Sequence, residues 1–309
     1  MKWIVVAFLF SFASIQTRAQ SETILFEGYS KVISSTEHIG YIVARYSFDT
    51  KSKEFRVITF MKINSNGTTA TETTRAVAKD NFAPVSYDYN FVSGKTTKSI
   101  QGRFRGNQFS AAILENGKKK TVETKLKEGT FLSSFLVYMM LKSKTGIQTG
   151  VPFKYKAIAE EDAKVYEDGD AKVGAIEKRN GFNVFKIANT FKGSTFDSYV
   201  TDRGEVFLLE SLSQGLKVEL VAKPNDATAD FGLTVPILKE LFGEVPVGTK
   251  NTLSQSIKPV ELRSTDILGA PPGPIDKGAN VPAGQGIHLK KESQPASAPA
   301  QSPPPKEGQ

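Results

Sequence analysis

The sequence predicts a mainly β protein: a curved antiparallel sheet, forming a half-barrel or incomplete barrel, wrapped around one buried apolar helix and followed by a disordered C-terminal tail. Three observations carry this. The pairs Asn66-Gly67, Asn116-Gly117 and Asn180-Gly181 each lie between segments that can pair as hairpin arms, and Asn-Gly tolerates the positive φ angles of a type I′ turn. Between such turns, apolar and polar residues alternate with the period of two expected of half-buried strands. One long apolar run after the N-terminus, Thr130 to Lys144 (TFLSSFLVYMMLKSK), instead has helical texture.

In chain order, Lys2 supplies a positive start, Trp3 to Phe12 an almost unbroken apolar core, and Thr17-Arg18-Ala19 a short exit with Ala19 as its small residue. Residues 1–19 therefore read as a secretory signal peptide cleaved near Ala19. The chain has no cysteine, which excludes an acylated N-terminal anchor, disulfides and thiolate chemistry. After Gln20 no apolar run is long enough to span a bilayer as a helix. The expected location is the periplasm, with an extracellular one as the alternative.

The expected β domain covers residues 20–242. Further turns are expected at Ser93-Gly94, Gly106-Asn107, Asp168-Gly169, Asp202-Arg203-Gly204 and Gln214-Gly215. Val85, Tyr87, Tyr89 and Phe91 fall on one strand face, while Ser86, Asp88 and Asn90 fall on the other. In Ile39 to Phe48 and Phe55 to Ile63, apolar residues occupy both faces, as expected of mid-sheet strands or strands whose outer face is covered. Strands are thus expected from about Thr23 to Lys127 and again from Val151 to Ala222, with no βαβ alternation that would call for a parallel sheet. Two smaller β domains joined through the helix are the structural alternative.

The helix itself is expected over about 130–144. Thr130 suits its N-cap, Lys142 and Lys144 the negative end of its dipole, and Gly146 the turn beyond it. Its apolar part, Phe131 to Lys142, spans roughly 18 Å at 1.5 Å per residue, short of the roughly 30 Å of a bilayer core. Asp230 to Phe242 is read as a short amphipathic helix docked on the sheet, although Pro236 argues for a break or a late start. Residues 243–309, rich in Pro, Gly, Ser, Ala and Gln, are read as a disordered Pro-rich spacer, or as an arm reaching an envelope partner.

Lys plus Arg number 40 against 32 Asp plus Glu, a formal charge of +8. The lysines are scattered and no strand shows an aromatic and basic RNA-binding pattern, so a solvated basic surface is favoured over nucleic-acid binding. Of the two histidines, His38 is read as a turn residue and His288 lies in the tail. The acidic clusters Glu160-Glu161-Asp162 and Glu167-Asp168-Gly169-Asp170 read as solvated hairpin loops, since they lack the ligand spacing of an EF-hand. Lys118-Lys119-Lys120 follows an Asn-Gly turn and reads as a solvated hairpin tip. No nucleophile-elbow, phosphate-loop or dinucleotide motif is present. The sequence points to no catalytic residue, metal or cofactor, and the chain is read as a non-enzyme.

The segments GYIVARYSFD, KEFRVITFMKI and NFAPVSYDY, with the FLSSFLVYMML helix ahead of a second strand series, resemble an uncharacterised family of Gram-negative envelope proteins. That family is thought to share the half-barrel of the LolA and LolB lipoprotein carriers. The resemblance implies a curved sheet around helices with a greasy interior able to hold an acyl chain.

The expectation is then an exported binding or scaffolding protein whose apolar hollow takes a lipid-like ligand or a partner segment. Its candidate lining is Tyr87, Tyr89 and Phe91 on one wall and Phe131, Phe135, Tyr138 and Met139 on the other. The alternatives are an outer-membrane β-barrel and a cell-wall enzyme with carboxylates assembled in space.

Overall fold

The computed structural model describes residues 22–65 and 67–256; the expected signal peptide, Asn66 and the expected tail from residue 257 onward lie outside the described residues. The first strand series is a meander of eight: β1 (Glu22–Ser34), β2 (Glu37–Asp49), β3 (Glu54–Ser65), β4 (Thr68–Lys79), β5 (Pro84–Ser93), β6 (Thr96–Arg105), β7 (Gln108–Glu115) and β8 (Lys118–Lys125). A two-residue strand, β9 (Phe131–Leu132), and helix α1 (Leu136–Lys142) follow. The second series comprises β10 (Pro152–Ala159), β11 (Lys164–Arg179), β12 (Phe182–Phe191), β13 (Ser194–Val200), β14 (Val206–Ser211) and β15 (Leu216–Val221). Three short helices end the described chain: α2 (Pro224–Thr228), α3 (Val235–Phe242) and α4 (Thr252–Ser256).

The turn chemistry explains the registers. Asn116 and Gly117 both have positive φ, 49° and 80°, as do Asn180 and Gly181 at 50° and 84°, and the residues flanking them pair directly, Glu115 with Lys118 and Arg179 with Phe182. These are the angles a two-residue hairpin of the right twist requires. Lys192-Gly193 makes another such turn, with φ of 55° and 73°. Asp168-Gly169, expected as a turn, instead lies within β11, where Gly169 pairs with Tyr155 of β10. The ring of Tyr155 lies over it, and a Cβ there would sit 2.4 Å from a ring carbon, so this glycine serves close packing and not a reversal.

All fifteen strands belong to one sheet, in the order β8-β7-β6-β5-β4-β3-β2-β1-β15-β14-β13-β12-β11-β10-β9. The last strand pairs with the first, Tyr29 to Val221 through Ser34 to Leu216, which unites the two series and removes the two-domain alternative. Every pairing is antiparallel except the two residue pairs between β9 and β10. The order also forces curvature. Laid flat, fourteen strand spacings of ~4.8 Å would separate β8 from β9 by roughly 67 Å, yet only residues 126–130 connect them, a span of at most about 20 Å. The sheet must therefore curl until its two edges approach each other.

The largest hydrophobic cluster confirms where the concave face lies. Phe55, Val57, Tyr87, Ile100 and Phe109 of the first series meet Tyr155, Val173 and Ile187 of the second, with Phe131, Phe135, Tyr138 and Met140 between them. A second cluster covers the opposite face of β1 to β3: Tyr29, Tyr41, Val43 and Phe60 pack against Ala227 of α2 and Leu238 and Phe242 of α3. This accounts for the apolar residues on both faces of those strands. Pro236 falls within the first turn of α3, where its missing N–H costs no hydrogen bond.

Three expectations need correction. The helix over 130–144 is reduced to a 3₁₀ turn at Ser133–Phe135 and seven α-helical residues. Phe131 and Leu132 are drawn into the sheet opposite Ala157 and Ile158, and the Thr130 hydroxyl donates to Lys127 O at 2.7 Å and caps nothing. His38 lies within β2, its Nε2 2.9 Å from Gly40 O and its ring edge-on to Phe231. Finally, the expected tail does not begin at Gly243. Glu27 Oε1 accepts the backbone N–H groups of Val247 and Gly248 at 2.9 and 2.8 Å, Glu27 pairs with Lys250, and Thr252 donates its backbone N–H to Glu205. Structure continues to Ser256 because these buried carboxylates hold backbone donors that composition does not reveal.

Candidate functional site

The seven residues expected to line a hollow do converge on the concave face, but most of them close it. Tyr87 and Phe135 are 0% exposed and Phe131 is 1% exposed; Tyr89 and Tyr138 are also buried, whereas Phe91 and Met139 are partly so. Tyr138 stacks on Tyr46 with ring centroids 5.0 Å apart, and Phe135 packs at 6.1 Å from Phe82. Tyr87 lies 6.2 Å from Phe109, which itself stacks on Phe104 at 4.9 Å. Aromatic pairs at these separations are mutual partners in a packed core.

Two of the seven, Phe131 and Met139, border an open cleft of about 450 Å³ at the end of the sheet where the β4–β5 and β6–β7 turns lie. Phe82, Pro84 and Leu126 complete its apolar floor, and Asn107, Lys127 and Glu128 stand at its rim. Sequence reasoning missed Phe82. It occupies a left-handed conformation, φ 62°, unfavourable for a bulky residue. It is held there by stacking on Phe55 at 4.8 Å and by the Lys142 ammonium 5.8 Å from its ring. Lys142 Nζ also donates to Asp80 O at 2.7 Å, which ties the β4–β5 turn to the end of α1. The pattern Asp80-Asn81-Phe82-Ala83-Pro84, turn formers around one aromatic, was the available signal.

The concave face also carries carboxylates. Glu160, expected in a solvated loop, is 4% exposed. It accepts from Ser133 Oγ at 2.5 Å, from Ser134 Oγ at 2.6 Å and from the Ser134 backbone N–H at 3.2 Å. Burial pushes its carboxyl above the ordinary range, against the pull of those hydrogen bonds. Glu72 is raised for the same reason, offset by the hydroxyl of Tyr89, which donates to it at 3.0 Å. Asp162 moves the other way: burial would raise it, but Lys192 and the Tyr166 hydroxyl bring it below its usual value. Lys192 also bridges to Glu161. Glu160 is thus committed to starting the turn before α1, and Asp162 to an ion pair. Among the described residues no three acidic or histidine side chains are grouped to hold a metal ion.

No protein-family model matches the chain, and no curated protein matches it by sequence. Among solved structures it is similar to a beta-barrel-like protein of a domain of unknown function, DUF1849, from Brucella abortus. That similarity has a TM-score of 0.45 and 9% sequence identity, over 64% of this chain and 98% of that one. No helix among the described residues is long and apolar enough to cross a membrane.

The cleft and the core therefore differ in chemical capacity. The core aromatics have their surfaces taken up by one another, so a ligand among them would have to displace packed side chains. In the cleft Phe82, Leu126 and Phe131 are buried too, but Ala83, Pro84 and Met139 leave apolar surface open, in a volume within the ~300–1,000 Å³ of small-molecule sites.

Proposed function

We propose that this chain is an exported cell-envelope binding or scaffolding protein, with the cleft of Phe82, Leu126, Phe131 and Met139 as the seat of a lipid-like ligand or an apolar partner segment. One observation carries the reading: a cleft whose exposed apolar surface, from Ala83, Pro84 and Met139, lies over buried Phe82, Leu126 and Phe131, on a concave face otherwise sealed by its own aromatics. The leader-like residues 1–19 support export to the periplasm, and the sequence resemblance to an envelope family thought to share the LolA and LolB half-barrel suggests an acyl chain as the ligand. The catalytic alternative is less favoured because Glu160 and Asp162 are engaged in structural bonds. An outer-membrane barrel is less favoured because β8 ends the sheet as an open edge with Lys118, Lys119, Lys120 and Lys125 along it, and lipid tolerates no open edge.

Titration of a fluorescent fatty acid into the full chain tests this. Saturable binding is expected, and Met139→Glu, which places a charge on the cleft floor at a partly exposed position, should weaken it by about tenfold, or ~1.4 kcal/mol, with the fold intact. Absence of saturation, or equal affinity in the variant, would exclude the cleft as an acyl site and leave the partner-segment reading.

A further inference from the structure

A second recess, of about 520 Å³, opens at the other end of β7, between the β7–β8 hairpin and the β10–β11 hairpin of the opposite half of the sheet. Four lysines border it: Lys98 of β6, Lys118 and Lys120 of β8, and Lys164 of β11. The register shows that three of them are not ordinary outward-facing lysines. Ile100 pairs with Ile113, Ile113 pairs with Lys120, and Glu115 pairs with both Lys98 and Lys118. Side chains two apart on a strand share a face, so Lys98, Lys118 and Lys120 stand on the same face as Ile100 and Ile113, which belong to the concave core. Lys119 alternates to the opposite face. The concave surface therefore changes abruptly from apolar to cationic at this end.

The charges are also compensated only in part. Of the two acidic groups at the recess, Asp162 shares Lys192 with Glu161 and also attracts Lys98, so two carboxylates, one of them already engaged, face four ammonium groups. Among the described residues none of these four lysines is held in an ion pair. Convergent like charges repel and destabilise the fold that holds them, and a phosphate group supplies the counter-charge and acceptor oxygens that such a set lacks.

We propose that this recess binds a phosphate-bearing polyanion through Lys98, Lys118, Lys120 and Lys164. The site is separate from the apolar cleft and does not depend on it. The ligand's phosphates can come from a soluble molecule or from an anionic lipid headgroup, and the two sources separate in the test.

The full chain is titrated with inorganic tripolyphosphate by calorimetry and, in parallel, with phosphatidylcholine vesicles with and without phosphatidylglycerol. Saturable, salt-sensitive tripolyphosphate binding is expected. Lys120→Glu should weaken it at least about tenfold, whereas Lys119→Glu, an identical change of charge on the other face of the same hairpin, should alter it by less than about twofold. If Lys120→Glu also abolishes binding to the anionic vesicles, the source is a headgroup; if wild type ignores vesicles, the source is soluble. No saturation with tripolyphosphate, or equal weakening by the two substitutions, would overturn the proposal, because either result reduces the lysines to general surface charge.

Discussion

At Gly102 the inner wall leaves no room for a single methyl group. A Cβ at this position would lie 2.0 Å from the ring of Tyr87, which is paired with it across β5 and β6. Gly102→Ala should therefore force the ring or the strand aside and cost about 1–3 kcal/mol, read as a lower urea midpoint at unchanged slope. An unchanged midpoint would mean that the ring has room to move. Glu160 makes a second prediction at this scale. Its carboxyl is raised by burial above its ordinary value of 4.5, so the folded state holds the proton more tightly than the unfolded one. Its contribution to stability is then full below about pH 4.5 and is lost as pH rises through the raised folded value. Glu160→Gln should flatten the fall in thermal midpoint on raising pH above 4.5. A slope identical to that of wild type would assign the pH dependence to other groups, Glu72 first.

The elements divide into those that seal and those that stay open. α1 is only seven residues long and could not persist alone in water; it is held by Phe135, Tyr138 and Met140, all buried in the main cluster. Because Phe135 is fully buried, Phe135→Ala should behave as a closed-core truncation and cost on the order of 3–5 kcal/mol in denaturant unfolding. A loss below about 1 kcal/mol would place Phe135 on an open surface after all. β8 is the opposite case. Seven of its eight residues are exposed, and its lysines protect a free edge from pairing with other chains.

For the whole molecule, the pairing of β1 with β15 decides the architecture, and Glu27 sits beside that seam. It is 2% exposed and joins Arg45, which donates its Nε to Glu27 Oε2 at 2.7 Å, its Nη1 to Phe242 O at 3.1 Å and its Nη2 to Glu244 at 2.9 Å. The same carboxylate receives the backbone of Val247 and Gly248. Ending the chain at Gly243 strips these partners and leaves a buried carboxylate with fewer donors, a change that costs stability. Ending it at Ser256 keeps every one of them. The shorter chain should melt several degrees lower than the longer one by calorimetry; coincident midpoints would mean that residues 244–256 contribute no stability.

Local chemistry made much of this readable in advance. Asn-Gly pairs set hairpin registers through backbone angles that few other residues tolerate, and period-two alternation put Tyr87, Tyr89 and Phe91 on one face, so the antiparallel class and the strand limits followed from neighbours in sequence. The doubly apolar strands β2 and β3 and the helix around Pro236 were legible for the same reason. What required the tertiary structure depends on residues far apart in the chain. The length of α1 was decided by β10 capturing Phe131 and Leu132 and by Glu160 binding Ser133 and Ser134. That structure extends past Gly243 was decided by Glu27, more than two hundred residues before the backbone it holds. Whether the aromatic residues formed a hollow or a core was likewise undetermined by their pattern, because alternation specifies which face a side chain takes but not what fills the space across from it. Curling fifteen strands brought Phe82 and Phe135 together, closed most of that space, and left the cleft and the lysine-lined recess at its two ends.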